Sequence, residues 1–424
     1  MSRPPCSTSV LIVGAGPAGA TAARTLAAAG LPVRLLDRST FPRNKPCGGG
    51  ISLRTLGRFP YLECELPRIA THTLSRLYLE GPEGESTVIQ SNVPAALMIR
   101  RLEFDALLVS LAVAAGAELV TGADIVRASL DERVTLLARD GRRFEADTVI
   151  AADGVHSVIA RRLGLNPGWS ASSIALDMME ETPRATLRDA DPSTLWVAYG
   201  FDPRFGPNGD SAPAEGYAYV FPKRDHVNIG IGYVLSYYRG AIHVPPYELQ
   251  RGFIDQLRAR GIVAGESVRR NFTPFLIPIS GPLRRPGRGR VLLAGDAGGF
   301  VNAFTAEGIY YAMVSGDLAA RAIIGARKGE SSDALARRYR VACHREMGQE
   351  LRDSVLIRRY LFANRRRISR IIRNAARYPS KTQLILDYAN GARSYRSVRR
   401  RLLASSPRVA FSLITELARS LFTT

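Results

Sequence analysis

VLIVGAGPAGATAARTLAAAGLPVRLLD, residues 10–37, decides how the rest of this chain is read. The apolar run Val10-Leu11-Ile12-Val13 stops at Gly14, and Gly16 and Gly19 complete G-x-G-x-x-G. An alanine-rich helical stretch follows, and a second apolar run ends at Asp37. The order strand, glycine turn, helix, strand and acid is that of a dinucleotide site. Gly14 permits a tight turn, Gly16 lets a pyrophosphate approach the backbone, and Gly19 lets the helix pack closely on the sheet. Amides opening the helix would face the phosphates. Asp37 stands where a carboxylate takes a ribose 2′-hydroxyl.

Around this unit the 424-residue chain is long for one domain, which predicts two lobes or one elaborated α/β body. Its 46% hydrophobic and 23% charged residues are enough for a large core. No run approaches the roughly 18 uninterrupted apolar residues of a membrane span. The segment Met1 to Ser9 is too short and polar for a signal peptide, so a cytoplasmic location is expected. Cys6, Cys47, Cys64 and Cys343 are scattered without a C-x-x-C pair, arguing against a disulfide or zinc framework.

The net charge of +20 is carried almost wholly by arginine, since Lys45, Lys223, Lys328 and Lys381 are the only lysines. It is concentrated from Arg352 to Arg401, where 15 Arg or Lys stand against 2 acids. Leu356, Ile357, Tyr360 and Leu361, then Ile368, Ile371 and Ile372, recur there at helical spacing. Such a segment is a helix packed by its apolar stripe with arginines in solvent, or a peripheral surface for anionic lipid. No nucleic-acid module accompanies the charge, and nucleic acid is not expected as a partner.

Leu102 to Ala115 has helical apolar spacing, with Phe104, Leu107, Leu108 and Leu111 on one side. Leu119-Val120, Ile125 to Leu130, Val134 to Arg139 and Asp147 to Ala151 read as strands, with a hairpin turn at Asp140-Gly141. From about Gly168 to Arg285 aromatic and β-branched residues alternate with polar ones, as in Thr194 to Tyr199, Tyr217 to Phe221 and Val227 to Tyr233. That pattern predicts an antiparallel sheet. Arg290 to Ala294 returns to a buried strand, and from Glu307 the chain reads as helical, with breaks such as Tyr378-Pro379-Ser380.

Two further glycine-and-acid turns, Asp153-Gly154 and Gly295-Asp296-Ala297-Gly298, follow the first at long range. Together with Arg100-Arg101-Leu102-Glu103-Phe104-Asp105 they resemble the glutathione-reductase-type FAD fold of the aromatic hydroxylases. Lys45-Pro46-Cys47-Gly48-Gly49-Gly50-Ile51 is similar to the cysteine-glycine loop of the geranylgeranyl reductase family. Tyr217-Ala218-Tyr219-Val220-Phe221-Pro222-Lys223 is similar to its aromatic-x-aromatic-x-Phe-Pro segment, with Val227-Asn228-Ile229-Gly230-Ile231-Gly232 behind it. Gly295 to Asn302, Glu307-Gly308-Ile309 and Ser315-Gly316 extend the resemblance to about Ala320.

The resemblance implies an α/β fold: an FAD-binding Rossmann-like three-layer domain (1–65, 96–165 and 286–325), an interleaved antiparallel-sheet substrate domain (66–95 and 166–285) and a basic helical C-terminal region (326–424). It implies FAD held by Gly14, Gly16, Pro17, Ala18, Gly19, Asp37 and Arg38, with Arg101 near the phosphates. Cys47, Gly48, Gly49, Asp153, Gly295, Asp296, Gly308 and Ile309 would complete the cofactor site. A helix starting near Ala306 would aim its positive end at the flavin pyrimidine and favour the reduced form. Gly50, Tyr217, Tyr219, Phe221, Pro222, Ala303, Phe304 and Thr305 would line the substrate. The chain reads Ala303-Phe304-Thr305-Ala306 where the family commonly has Pro-Leu-Thr-Gly, which puts the usual polyprenyl substrate in question.

Cys47 admits two readings: a small side chain packed in a glycine loop, or a thiol activated by Lys45 and a helix start. The resemblance places it close to the flavin ring, in the active site. Tyr217, Tyr219 and Phe221 share one strand face, either an ordinary core stripe or a lipid-facing wall. The five histidines show no metal spacing and no metal site is expected. The implied activity is reduction of carbon–carbon double bonds in an isoprenoid or similarly apolar lipid, with electrons from NADPH or another reduced carrier. The same fold serves monooxygenases and halogenases, the alternative reading. A third is a basic peripheral protein that binds anionic membrane or RNA.

Overall fold

The computed structural model describes residues 6–91, 94–201, 215–327, 330–389 and 391–405. The first five residues, and residues 406–424 of the expected C-terminal helical region, lie outside the described residues. The chain divides into two compact units. The first takes the chain through Lys45, Arg101–Ser173 and Ile277–Ser354; the second takes Pro46–Arg100, Ile174–Leu276 and the chain from Val355.

The first unit is built on an eight-stranded sheet. Its central strand Cys6–Val13 lies parallel to Val33–Leu36 on one side and to Arg143–Ala151 on the other. Glu118–Val120 and Val291–Leu293 extend it in parallel, while Val134–Ala138 and Ile125–Leu130 turn back antiparallel. Leu11 and Val13 enter one apolar core with Leu136, Phe144 and Ile159. Ile12 faces the opposite way, against Gly19 at the start of helix Pro17–Ala28. Burial on both faces is why the opening strand reads as an uninterrupted apolar run. Helix Pro17–Ala28 packs against Arg101–Ala114 and Ile309–Ile324. A Cβ on Gly316 would lie 2.1 Å from the Ala18 carbonyl oxygen, so glycine sets how closely two of these helices approach.

The second unit holds a seven-stranded sheet with Ile174–Pro183, His226–Val234, Gly216–Pro222 and Thr194–Tyr199 at its centre. The expected antiparallel pattern holds for those four, but Thr194–Tyr199 runs parallel to Arg76–Glu80. Strand Arg76–Glu80 comes from far earlier in the chain, a pairing that local alternation cannot announce. Ala218, Val220, Ile229 and Ile231 point to one face and pack with Leu249, Phe253 and Leu257 of helix Pro246–Ala259. A three-stranded sheet pairs Gly50–Ile51 and Thr71–Leu74 with Ala96–Ile99. Helices Arg365–Arg377, Pro379–Ala389 and Tyr395–Ser405 close the described chain.

Candidate functional site

The glycine turn of the first unit separates structural glycines from one that leaves room. Gly14 has φ +95°, and a Cβ there would sit 2.2 Å from the Ala152 carbonyl oxygen. A Cβ on Gly19 would lie 1.8 Å from the Gly14 oxygen. Gly16 is different: its φ of −75° suits any residue, and its Cβ would meet only the Arg101 and Arg43 guanidinium ends, each at 3.8 Å. Gly16 caps helix Pro17–Ala28 with no side chain, and Pro17 opens the first turn. The helix therefore presents its amides and positive end beside two guanidinium groups, which is a site for an anion.

One carboxylate organises those cations. Asp105, fully buried, accepts from Arg101 Nε at 2.6 Å and Nη2 at 2.8 Å. Arg43 Nη1 approaches the same carboxylate at 2.9 Å. Asp37 is also occupied: its Oδ2 accepts from the Ala15 amide at 2.7 Å and its Oδ1 from the Ser39 amide at 2.8 Å. The acid thus braces the glycine turn from within. Arg38 beside it is exposed. Burial, with the charges of Arg161, Arg38 and Lys45, holds the His156 imidazole below its ordinary pKa, which marks this rim as electropositive.

Asp153 caps a helix: its Oδ2 accepts from the Val158 amide at 2.9 Å and the Ile159 amide at 3.3 Å. Burial pushes its carboxyl up despite those bonds. Gly295 adopts φ +61° and donates its amide to Ser315 Oγ at 2.9 Å. Asp296 is the part-exposed residue of the otherwise buried stretch 291–300. Its Oδ1 lies 3.7 Å from where a Gly308 Cβ would be. Helix Ile309–Ile324 starts with Gly308 as an N-cap lacking a side-chain bond. That start is three residues beyond Ala306, where a helix was expected. Asn302 Oδ1 takes the Phe304 and Thr305 amides at 3.1 Å each, and Ala306 turns into the left-handed region at φ +55°. Ala303 is buried, its amide held by Ser354 Oγ at 2.9 Å, while Thr305 is exposed.

In the second unit the cross-strand register assembles an aromatic face. Tyr217 stands opposite Tyr199 and Gly232, and Tyr219 opposite Val197 and Gly230. Ring centroids run Tyr199 to Tyr217 at 5.7 Å, Tyr217 to Tyr219 at 6.1 Å and Tyr219 to Phe221 at 4.3 Å. Phe362 adds a ring 6.4 Å from Tyr199. A Cβ on Gly230 would lie 2.3 Å from the Tyr219 ring, so the first glycine of the glycine-x-glycine in strand His226–Val234 makes space for Tyr219. The Tyr219 hydroxyl donates to Asp177 Oδ2 at 3.2 Å. Burial, with Asp177 alongside, pushes the Tyr217 and Tyr219 phenols well above their ordinary pKa.

The Cys47 loop belongs to the same unit. Gly48 lies against Phe221, whose ring a Cβ would meet at 2.8 Å, and Gly49 takes φ +76° over the Ile99 carbonyl. Lys223, 1% exposed, pairs with Glu181, which also accepts from Arg100 Nε at 2.9 Å. Burial would raise Glu181, but Lys223 and Arg100 outweigh it and hold the carboxyl below its ordinary value of 4.5. A carboxylate lowered on folding stabilises the fold above its unfolded pKa and loses that contribution as pH falls through the folded one. Melting temperatures should therefore drop below about pH 4.5, with a shallower acid slope in Glu181→Gln. An identical slope in that variant would exclude Glu181 as the source.

Comparison with known proteins gives the family. The FAD binding domain family model matches residues 7–226. Digeranylgeranylglycerophospholipid reductase 2 of Methanothermobacter thermautotrophicus is 30% identical over 83% of this chain and 87% of its own length. The chain belongs to the geranylgeranyl reductase family of FAD-dependent oxidoreductases. Menaquinone reductase of Mycobacterium tuberculosis is 31% identical over 74% of this chain and 76% of its own. A geranylgeranyl bacteriochlorophyll reductase-like structure from Thermoplasma acidophilum shares the fold, with TM-score 0.73 and 20% identity over 97% of this chain and 99% of that one.

FAD is the cofactor of this geranylgeranyl reductase-family chain, and the room at Gly16 fits it, since a Cβ would fill space the protein itself leaves. Arg43 and Asp105 beside the glycine turn of the first unit, and Asp177, Glu181, Lys223 and Asn228 around the cysteine loop and aromatic face of the second, are not singled out as site residues by the sequence. Asp105 had a signal, four residues after Arg101 on one helix. Arg43 had none, because its partner lies 62 residues away in sequence. Among the described residues no helix is long and apolar enough to cross a membrane.

Proposed function

We propose that this reductase saturates carbon–carbon double bonds of an isoprenoid or similarly apolar lipid. The observation that carries the reading is the continuous aromatic face Tyr199, Tyr217, Tyr219 and Phe221 against the Cys47 loop. An unfunctionalised alkene offers nothing to hydrogen-bond, so aromatic area and exclusion of water must do the binding. Names of relatives support the class: the archaeal relative is a digeranylgeranylglycerophospholipid reductase and the mycobacterial one a menaquinone reductase.

In this reading Gly14, Gly16, Pro17, Ala18 and Gly19, with Arg43 and Arg101, hold the FAD pyrophosphate, and Asp37 with Arg38 serves the adenosine end. Asp296, Gly308 and Ile309 place a carboxylate and a helix N-terminus at the other end of the cofactor. Asp153 and Gly295 act by shaping the turns. Bound FAD, reduced by NADPH or another carrier, supplies the two electrons. Gly50, Pro222 and the aromatic face orient the chain and keep water out. Cys47 holds a proton at Sγ for the alkene carbon. Anaerobic enzyme carrying reduced FAD, mixed with prenyl lipids, should yield products gaining two hydrogens per bond. Flavin that stays reduced with every prenyl lipid offered, or products that gain oxygen in air, would defeat the reading.

We further propose that the enzyme meets its lipid at an anionic bilayer, through helix Arg365–Arg377. Arg366, Arg370, Arg373 and Arg377 form one exposed stripe, and the opposite residues Ile368, Ser369 and Ile372 are buried. Exposed apolar side chains occur on and just after this helix, with Ile371 42%, Tyr378 42% and, on the next helix, Ile385 54% accessible. Arginines beside outward apolar residues suit a headgroup boundary. At about 1 kcal/mol per basic residue near an anionic surface, four contribute enough for roughly a hundredfold or more in partitioning. Replacing all four by Gln should therefore abolish salt-sensitive binding to phosphatidylserine-containing vesicles. Equal binding to purely zwitterionic vesicles, or undiminished binding by the variant, would overturn this surface.

A further inference from the structure

Two buried side chains converge on one backbone oxygen of the cysteine loop. Lys223 Nζ lies 3.4 Å from the Cys47 carbonyl oxygen, and Asn228 Nδ2 donates to the same oxygen at 3.2 Å. Both are closed off from water, Lys223 at 1% and Asn228 at 0% exposure. Neither belongs to the loop; they come from the end of strand Gly216–Pro222 and from strand His226–Val234. The remaining bonds finish the fixation. The Gly49 amide donates to Cys47 Sγ at 3.3 Å, and the Ile99 amide donates to the Gly49 carbonyl at 2.9 Å. Phe221 fills the space above Gly48. Each residue of Cys47-Gly48-Gly49 is thus held by a separate group, and the thiol by the loop's own amide.

A buried ammonium is an expensive way to fasten a loop. Replacing a buried ion pair with apolar residues of similar volume is often neutral or stabilising, so stability alone does not explain Lys223. What an ammonium and a carboxamide supply, and an apolar pair cannot, is direction: two donors aimed at one lone-pair region. Glu181, itself held by Arg100, pairs with Lys223 and fixes it in place. We propose that Lys223 and Asn228 are positioning residues for Cys47, acting through its carbonyl to set where Sγ stands during proton delivery. The proposal rests on the reading of Cys47 as a working thiol. It adds that the geometry of this thiol is imposed from the strands beneath it.

The test uses full-length holoenzyme with Lys223→Met, Asn228→Leu and the pair, each also in a Cys47→Ala background. Site-resolved mass spectrometry of iodoacetamide labelling reports Cys47 independently of turnover. Each single variant should change the Cys47 labelling rate at least threefold, retain FAD, and lower kcat with little change in KM for the lipid. The pair should lose little more than the worse single, because both donors share one acceptor. In the Cys47→Ala background Lys223→Met should cost no further kcat. An unchanged labelling rate, or a kcat loss that carries undiminished into Cys47→Ala, would overturn the clamp. Cys47→Ala with full turnover would defeat the working thiol instead, while labelling still judges the clamp. Should Lys223→Met not fold, Asn228→Leu leaves the ion pair intact and carries the same test.

Discussion

Gly16→Ala should yield a folded protein that has lost its flavin. The backbone at Gly16 is already in a region open to alanine, and the new methyl would touch only two mobile guanidinium ends at 3.8 Å. The cost to the apo fold is about 1 kcal/mol or less, the ordinary penalty of a poorer N-cap. In the proposed reading the methyl would stand where the FAD pyrophosphate reaches the helix amides. Overpacking there, with loss of a charged hydrogen bond, removes about 3–4 kcal/mol, which corresponds to a hundredfold or more in affinity. Gly14→Ala makes the contrast. It combines φ +95° with a contact of 2.2 Å to a backbone carbonyl, and should lower stability by about 4 kcal/mol or more. Flavin-to-protein ratios and apo melting curves separate the two. A Gly16→Ala enzyme with native flavin affinity would remove the pyrophosphate from this turn.

Asp105→Ala should be the most damaging change to the first unit outside its glycines. The carboxylate is wholly buried and takes Arg101 in two bonds and Arg43 in an ion contact. Truncation leaves two largely buried guanidinium groups without it, a loss of about 3–5 kcal/mol by the measure of broken buried pairs. If the arginines face phosphates, bound FAD offsets part of that loss, because ligand binding to the folded form adds stability by mass action. Chemical denaturation with and without FAD should therefore show a larger deficit in the apo protein. Equal deficits would mean that the arginines serve the fold alone.

These two residues also mark how far sequence reading reaches. The glycine turn is legible because its spacing is local: three glycines between one apolar run and one helix, with Gly19 packed on the Gly14 oxygen, although the Ala152 carbonyl that holds Gly14 comes from a distant strand. Strands Thr194–Tyr199, Gly216–Pro222 and His226–Val234 were legible from alternation for the same reason. The helix expected near Ala306 is present and starts at Ile309, after a loop in which Asn302 holds two amides, a detail that periodicity does not record. The spacing of Asp37 points to a ribose ligand, and the folded chain also uses it to brace Ala15 and Ser39.

The sequence by itself determined the dinucleotide turn, the strand-rich second region, and a basic C-terminal stretch with an apolar stripe. Resemblance added FAD and the cysteine loop. Only the tertiary structure showed that Asp105 binds Arg43 and Arg101 together, that Gly230 makes room for Tyr219, and that Lys223 and Asn228 meet at the Cys47 carbonyl. The physical reason is range. Turns, caps and periodicity are set by neighbours a few residues apart, whereas Lys223 and Asn228 lie 176 and 181 residues from Cys47. Pairings at that separation follow from sheet register, which exists only once the strands have met.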